Sequence, residues 1–282
     1  EILRSDWSSD VCSSDLSYSY NHKDNTIGVW SLDVEEDLTG KAYQYQVQFP
    51  HHQTLTRDPY TIATSPDGKR SAILSHEEKQ VENFEVKHGS EATWRLENPC
   101  KAVICEMHIR DLTKSSTSGV DEHLRGTFLG AAQTGTVNQY GQSTAFDYIK
   151  KIGYNYVQLQ PIADRHKEYD ADGNVTYNWG YDPQNYNAPE TSLSTNPEDP
   201  AQVIRDLKTM VQAYHDAGIG VIMDVVYNHT FSVVDAPFQT TVPDYYYRMN
   251  PDGTFQNGTG VGNETASEHE MFRKYMIDSL LY

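Results

Sequence analysis

The chain has 282 residues and carries 40 acidic against 22 basic side chains, a formal net charge of −18 at pH 7. This length allows a sizeable core and one or two domains, and the acidic balance disfavours binding to a phosphate backbone or an anionic membrane surface. No apolar run approaches the roughly 20 residues of a membrane-spanning helix, so the sequence predicts neither a nucleic-acid nor a membrane partner.

The first 16 residues show no apolar periodicity. Residues 4–16 read RSDWSSDVCSSDL, an alternation of serine and aspartate that is typical of a disordered linker. Residues 6–16 also resemble one reading frame of a sequencing-library adapter. We therefore expect an artefactual or disordered leader over residues 1–16, and codons unrelated to the adapter would contradict the artefact.

Short β-prone runs follow in residues 17–74, separated by turn signals. The runs are GVWSLDV, AYQYQVQF, YTIAT and SAIL, and an Asp-Gly turn in SPDGKR (residues 65–70) joins the last two. A polar stretch then extends to residue 100. The pattern predicts part of a small all-β module with a linker over residues 17–100.

The periodicity changes after residue 100. Strand-length apolar runs occupy residues 102–110, 156–162 and 220–226, and helix patterns with N-terminal and C-terminal signals occupy residues 143–153 and 200–218. This alternation predicts a parallel α/β sheet, in which functional groups collect beyond the carboxyl ends of the strands. The long segments at residues 111–142 and 163–199 are interpreted as functional loops. The pattern does not separate an open sheet from a closed barrel.

Two polar motifs lie after the predicted strands. Residues 177–183 read YNWGYDP, which combines three aromatic rings, an amide and a carboxylate without a cysteine, histidine or lysine. Residues 224–230 read DVVYNHT and put Asp224, Asn228 and His229 where the third strand ends. A lone histidine here is more often a satisfied edge histidine, but that alternative has to explain all three polar residues together.

These motifs resemble the α-amylase family, glycoside hydrolase family 13. VQLQPI and DVVYNHT are similar to segments at its second and third strands, and AVICEMHIRDLT followed by GTFLG is similar to the first. YNWGYDP resembles the hallmark of the type I pullulanase branch, which cleaves the α-1,6 branch points of pullulan, amylopectin and limit dextrins. The β-rich segment is similar to the tail of the starch-binding-type module that precedes the barrel.

The resemblance covers residues 17–282 and implies a two-part architecture. Residues 101–282 are expected to form the first three β/α units of a truncated (β/α)8 TIM barrel. Residues 17–100 are expected to be the remnant of a β-sandwich starch-binding-type module with its linker. The implied partner is a branched α-glucan.

The resemblance also implies which side chains bind sugar. In the family, the tyrosine matching Tyr181 stacks under the sugar next to the scissile bond, and the histidine matching His229 binds that sugar's hydroxyl groups. Asp182 is placed to bind hydroxyl groups as well. These residue types suit the ligand, because a sugar ring has apolar C–H faces for an aromatic platform and a rim of hydroxyl groups for polar side chains.

Four further residues are expected to support this site. Asp224 and Asn228 match bracing positions, and Tyr177 and Trp179 are interpreted as supports for the loop, with direct sugar contact as the alternative. In many amylases the asparagine matching Asn228 binds a structural calcium, but we do not claim calcium here. We predict no metal and no cofactor, and the cellular compartment, secreted or cytoplasmic, stays open.

No catalytic residue is assigned within the 282 residues. Retaining glycosidases use two carboxyl groups about 5–5.5 Å apart, one as nucleophile and one as acid/base. In the family these groups and a stabilising aspartate follow the fourth, fifth and seventh strands, and residues 262–282 resemble the lead-in and helix before the fourth strand. We therefore expect the catalytic carboxylates beyond Tyr282 and expect the chain by itself to be inactive.

Three alternatives remain at this point. An isoamylase or branching-enzyme relative is disfavoured by the residue pattern around Gly180 to Pro183, and the products formed from pullulan would distinguish it. A non-catalytic α-glucan-binding protein would use Tyr181 and His229 for binding alone. An unrelated α/β domain would not bind branched maltooligosaccharides.

Overall fold

The computed structural model of the protein describes residues 2–5, 12–15, 17–19, 29–84, 91–92 and 94–282. It forms two compact units, one made of Glu1–Ser75 with Tyr227–Tyr282 and the other of His76–Val226. Within these described ranges no helix is both long and apolar enough to cross a membrane.

The first unit contains seven described strands, all paired antiparallel. They are β1 (Ile2–Ser5), β2 (Cys12–Asp15), β3 (Ser17–Ser19), β4 (Val29–Ser31), β5 (Ala42–Gln48), β6 (Gln53–Thr56) and β7 (Ser71–Ala72). One sheet has the order β2-β1-β5-β6, with β7 also paired to β5, and β3 pairs with β4 separately. The predicted run AYQYQVQF is confirmed as β5.

Of two other predictions for this unit, one is confirmed and one is wrong. The Asp-Gly turn is confirmed, because Gly68 N–H donates to the Ser65 carbonyl at 2.8 Å and Ser65 N–H donates to the Arg70 carbonyl at 3.0 Å. The predicted strand YTIAT is wrong. Thr61 N–H donates to the Asp58 carbonyl at 3.1 Å and closes a turn there, and the strand lies earlier, at β6.

The leader prediction is only partly covered by the structure. Residues 2–5 and 12–15 are strands, with β1 paired to β2 and β5, which differs from the disorder expected for them. Residues 1, 6–11 and 16 lie outside the described residues. The adapter origin concerns the nucleotide sequence and stays a prediction.

The second unit is built on a parallel sheet, as predicted. Its strands are β8 (Ile104–Met107), β9 (Tyr156–Leu159), β10 (Ala163–Arg165), β11 (Pro183–Pro189) and β12 (Gly220–Met223), and its helices are α1 (Ile109–Thr113), α2 (Phe128–Ala131), α3 (Ala145–Ile152) and α4 (Pro200–Asp216). The sheet order is β12-β9-β8, with Ile104, Tyr156 and Gly220 in register. All three strands therefore end at the same edge.

The helix signals are confirmed, with one local difference. Asp199 caps α4 through its side chain, Pro200 occupies the first turn, and Gly153 ends α3 in the left-handed region at φ +90°. Thr144 occupies the N-cap position of α3, but its hydroxyl donates to the Ser118 carbonyl instead of capping the helix.

Two segments of this unit differ from the sequence prediction. The first strand ends at Met107, because the side chain of His108 already caps α1 by accepting from Asp111 N–H. Residues 163–199, predicted as a loop, contain the antiparallel pair β10–β11, whose register shifts at two places. The Pro-rich and Asn-rich sequence PQNYNAP gives little β signal, so this pair was not predictable from local propensity.

The core of the second unit lies between the parallel sheet and its helices. Val157 and Leu159 of β9 are fully buried among apolar side chains that include Phe146 of α3 and Met210 of α4. Tyr214 is also buried in this core, where its hydroxyl donates to the Ala131 carbonyl at 2.9 Å. The edge at which the three parallel strands end is thus supported by a packed core.

The chain after β12 returns to the first unit. It contains α5 (Pro237–Thr241) and α6 (Glu270–Leu281), the helix expected near the end of the sequence. Phe238 and Tyr275 pack edge to face at 4.9 Å between ring centroids, and the Tyr275 hydroxyl donates to the Pro59 carbonyl at 2.9 Å. Through these contacts the compact units divide the chain differently from the boundaries predicted after residues 16 and 100.

Candidate functional site

The YNWGYDP segment, residues 177–183, is called the aromatic loop; it forms the last part of the connection between β10 and β11 and includes the first residue of β11. It contacts residues that follow each of the three parallel strands in the second unit. His108 follows β8, Pro161 follows β9 and Asp224 follows β12.

The contact beyond β12 involves Tyr181. Its hydroxyl donates to Asp224 Oδ2 at 2.9 Å, while Asp224 N–H continues the sheet by donating to the Leu159 carbonyl at 3.1 Å. Burial and then the Asp224 carboxylate raise the pKa of the Tyr181 phenol to about 12. The phenol therefore stays protonated at neutral pH and acts as a donor to Asp224.

The contact beyond β9 involves Gly180. Its φ is +98°, and a Cβ atom built at this position would lie 2.4 Å from the Pro161 carbonyl oxygen. A side chain would thus meet both an unfavourable backbone conformation and a backbone atom that cannot move aside easily. Glycine lets the loop lie directly against the end of β9.

The contact beyond β8 involves His108, which is 6% exposed. Its Nε2 lies 3.1 Å from the Asn178 carbonyl oxygen, and its ring centroid lies 5.4 Å from that of Tyr177. The Arg110 guanidinium lies over the Tyr177 ring at 5.5 Å. Burial and then a hydrogen bond with Asp111 raise the pKa of the Tyr177 phenol.

Inside the loop, the Asn178 side chain orients Asp182. Asn178 Nδ2–H donates to Asp182 Oδ2 at 2.9 Å and to the His166 carbonyl at 3.3 Å, and Asn178 Oδ1 accepts from Gly180 N–H at 2.8 Å. The Asp182 carbonyl accepts from His166 N–H at 2.9 Å. The Asp182 carboxylate is half-buried and held from one side, beside Tyr181 in the chain.

Tyr177 and Trp179 differ in their surroundings. Tyr177 is partly covered by His108 and Arg110, whereas the Trp179 side chain is 63% exposed. The contacts of Tyr177 with His108 and Arg110 are consistent with the predicted supporting role of this residue. The supporting role of Trp179 stays a prediction, with direct sugar contact as its alternative.

The remaining two predicted site residues lie in the other compact unit. His229 is buried, with Nδ1 at 3.2 Å from Asn228 Oδ1. Asn228 is exposed, and its carbonyl accepts from Thr265 N–H at 3.1 Å. The structure thus brings Tyr181, Asp182 and Asp224 together in one unit and groups Asn228 with His229 in the other.

A buried ionic cluster lies at the base of the aromatic loop, where β10 pairs with β11. Lys167 Nζ lies 2.5 Å from Asp164 Oδ1 and 3.2 Å from Glu190 Oε2, and all three side chains are at most 4% exposed. Asn185 Nδ2–H also donates to Asp164, at 2.5 Å. Arg165, buried beside them, contributes a second positive charge near Glu190.

Sequence reasoning missed His108, Lys167 and Glu190. For His108 the signal was hidden, because the predicted strand extended to residue 110 and placed His108 inside it, whereas the strand of the structure ends at Met107. The cluster carried no such signal, since Glu190 is separated from its partner Lys167 by the whole aromatic loop. In the described ranges, no group of three or more His, Cys, Asp or Glu side chains is arranged to hold a metal ion.

Comparison with known proteins identifies the family. The protein-family model described as Alpha amylase, catalytic domain, matches residues 126–274, which is more than half of the chain. The chain belongs to the α-amylase family. It is 35% identical over 260 residues to a pullulanase of Bacillus subtilis (strain 168), an alignment that covers 90% of this chain and 34% of that protein.

Solved structures give the same result. The pullulanase of Paenibacillus barengoltzii in complex with maltohexaose and α-cyclodextrin aligns with a TM-score of 0.85 and 38% identity, over 99% of this chain and 42% of that one. The pullulanase of Bacillus acidopullulyticus aligns with a TM-score of 0.89 and 36% identity, over all of this chain and 33% of that one.

These matches confirm the predicted resemblance and an α/β fold of the TIM-barrel type. The chain spans about a third of the length of the curated relative described above.

Proposed function

We propose that this chain is part of a starch-debranching α-1,6-glucosidase of the pullulanase type. Its substrates would be pullulan, amylopectin or limit dextrins, and hydrolysis would proceed with retention of configuration. Residues 101–282 would contribute the first three β/α units of a (β/α)8 barrel, preceded by the remnant of a β-sandwich module.

One observation carries this proposal: the aromatic loop holds a tyrosine and a carboxylate side by side at the carboxyl edge of a parallel sheet. The Tyr181 hydroxyl is tied to Asp224, which fixes one edge of its ring. Asp182 is oriented through Asn178. A platform and an adjacent acceptor are what a sugar ring requires, the first for its C–H face and the second for its hydroxyl groups.

In this proposal the chain binds sugar, and the bond-breaking carboxylates come from elsewhere in the whole enzyme. Retention requires two carboxyl groups about 5–5.5 Å apart. Asp224 is unsuited to the nucleophile role, because its Oδ2 already accepts a hydrogen bond from the Tyr181 hydroxyl and its backbone extends the sheet. The 282 residues alone are expected to bind α-glucans without hydrolysing them.

The binding part of the proposal predicts a specific effect of Tyr181. Replacing Tyr181 with alanine removes the platform and should weaken maltotetraose binding about tenfold or more. Tyr181→Phe keeps the ring but leaves Asp224 without its donor, so we expect a smaller loss of about threefold. Isothermal titration calorimetry on the 282-residue chain measures both.

Tyr169→Ala is the matched control, since Tyr169 is an exposed tyrosine in the same β10–β11 connection. Its replacement should leave the affinity unchanged. Equal affinities for Tyr181→Ala and the unsubstituted chain would remove the support for a sugar site at the aromatic loop.

The hydrolytic part can be tested in a chimera in which this chain replaces the matching third of the Bacillus subtilis pullulanase. We expect the chimera to release maltotriose from pullulan. Glucan chains transferred without new reducing ends would instead indicate a branching enzyme, and hydrolysis of amylopectin but not pullulan would indicate an isoamylase. Binding to pullulan without any products would contradict the hydrolytic part of the proposal.

A further inference from the structure

We propose that His108 is a positioning residue that holds Asp182 in place through Asn178. The role of Asp182 as a sugar ligand rests on the proposed function, whereas the positioning itself rests on contacts within the second unit. His108 would touch neither the sugar nor the reacting atoms.

A continuous chain of hydrogen bonds connects the two residues. His108 Nε2 is 3.1 Å from the Asn178 carbonyl oxygen, and Asn178 Nδ2–H donates to Asp182 Oδ2 at 2.9 Å. Asn178 Oδ1 also accepts from Gly180 N–H, next to Tyr181. A displacement of the Asn178 backbone would therefore move the Asp182 carboxylate and the loop segment that carries Tyr181.

The other ring nitrogen identifies the tautomer of His108. Nδ1 caps α1 by accepting from Asp111 N–H at 3.4 Å, so the proton of the neutral ring resides on Nε2. Nε2–H is then the donor to the Asn178 carbonyl oxygen. The imidazole therefore hydrogen-bonds to two backbone groups, the Asp111 N–H of α1 and the Asn178 carbonyl of the aromatic loop.

Protonation of His108 would disturb this arrangement. The charged ring has no free acceptor, so Nδ1–H would face Asp111 N–H, and the Asp111 carboxylate oxygen 3.8 Å from Nδ1 would attract the ring. The ring also faces Arg165 of β10, Arg110 of α1, and Tyr177 and Asn178 of the loop. Burial and then the Arg165 guanidinium lower the pKa of His108 below its ordinary value of 6.5, although Asp111 opposes this shift.

The sign of the resulting pH dependence follows from that direction. Because the folded state has the lower pKa, the unfolded state binds more protons between the two pKa values. The contribution of His108 to stability is therefore complete above pH 6.5 and is lost as the pH falls toward the folded pKa. The orientation of Asp182 should be lost at a lower pH, around the folded pKa itself, because that is where the ring of the folded chain gains its proton.

The first test needs no sugar. In the 282-residue chain, the His108 ring, the Asn178 side-chain amide and the Asp182 carboxyl carbon are followed by NMR between about pH 5 and 8, where histidine titrates. We expect all three to report the same midpoint, and we expect the midpoint to disappear from Asn178 and Asp182 in His108→Gln. Resonances of Asn178 and Asp182 that ignore the His108 titration would overturn the proposal.

The second test measures maltotetraose affinity against pH. His108→Phe removes the donor and should weaken binding about tenfold at neutral pH, whereas His108→Gln keeps an N–H donor and should stay within about threefold. His108→Gln should also lose the acid-side fall in affinity that belongs to His108. His123→Gln, at an exposed histidine, serves as the control and should match the unsubstituted chain.

The two tests separate the two claims. Absence of maltotetraose binding by the unsubstituted chain would contradict the proposed function, and the NMR titration would still decide the positioning. Normal binding by both the chain and His108→Phe would contradict the positioning and leave the proposed function intact.

Discussion

Replacing Lys167 with methionine is expected to lower the free energy of unfolding by about 3–5 kcal/mol, because it leaves buried carboxylates without their cation. Lys167 lies between Asp164 and Glu190 at 2.5 and 3.2 Å, and none of the three side chains has appreciable exposure. Burial alone would lower the pKa of Lys167, but the two carboxylates raise it above its ordinary range. Urea unfolding followed by circular dichroism measures the change.

The loss in free energy of unfolding caused by Lys167→Met should increase with pH. Burial already raises the pKa of Asp164, and loss of the lysine removes the main opposing charge. A carboxyl group with a raised folded pKa binds more protons in the folded state, so stability falls as the pH rises through that range. We therefore expect a smaller deficit in acid, where Asp164 accepts a proton, than at neutral pH.

Two further variants distinguish the effect of the buried charges on stability from a general effect of losing a lysine. Lys274→Met removes a lysine that pairs with Asp278 on the exposed face of α6, and its effect should stay within about 0.5 kcal/mol. Lys167→Met combined with Asp164→Asn should recover part of the loss, since one uncompensated charge is gone. A Lys167→Met chain as stable as Lys274→Met would show that the cluster does not hold the base of the loop.

Periodicity in the sequence predicted the scaffold of the second unit well. The apolar runs and the Pro and Gly signals are local, and they correspond to β9, β12, α3 and α4 with ends displaced by a few residues. The parallel pairing also followed, because helical crossovers between strands allow little else. Local sequence patterns were therefore sufficient to predict the strands and helices of this unit.

The candidate site was predicted less completely, for a physical reason. Tyr181 and Asp224 were selected by motif, but their hydrogen bond joins residues far apart in the chain. The pairing of Lys167 with Glu190 depends on β10 and β11, whose sequences have weak strand propensity and irregular register. Such contacts arise from tertiary packing, which overrides local preference and leaves no period in the sequence.

The aromatic loop is held at each of the three strand ends by a different kind of interaction. His108 hydrogen-bonds to its backbone, Pro161 contacts Gly180 closely, and Asp224 accepts a hydrogen bond from Tyr181. Because the strands form one sheet, these attachments share a rigid frame. Precise placement of a binding constellation requires such support from ordered elements.

Gly180→Ala tests the closest of these attachments, and we expect it to destabilise the chain by about 3 kcal/mol. The alanine would have to keep a left-handed backbone at φ +98°, and its Cβ would approach the Pro161 carbonyl oxygen to 2.4 Å. Since that oxygen belongs to the segment directly after β9, the loop would have to shift instead. Tyr181 and Asp182 would shift with it, so maltotetraose binding should fall below detection in calorimetry.

Gly173→Ala is the matched control, because Gly173 lies in the same β10–β11 connection at φ +82°, and a Cβ added there would meet no atom within 4 Å. Gly173→Ala should lose only the about 1 kcal/mol that a positive φ costs an alanine, and it should leave sugar affinity unchanged. The difference between the two variants therefore measures the close approach to β9. If Gly180→Ala lost no more stability than Gly173→Ala and still bound maltotetraose, the loop would not depend on its contact with β9. The positions of Tyr181 and Asp182 would then have to be maintained by the His108 and Asp224 contacts alone.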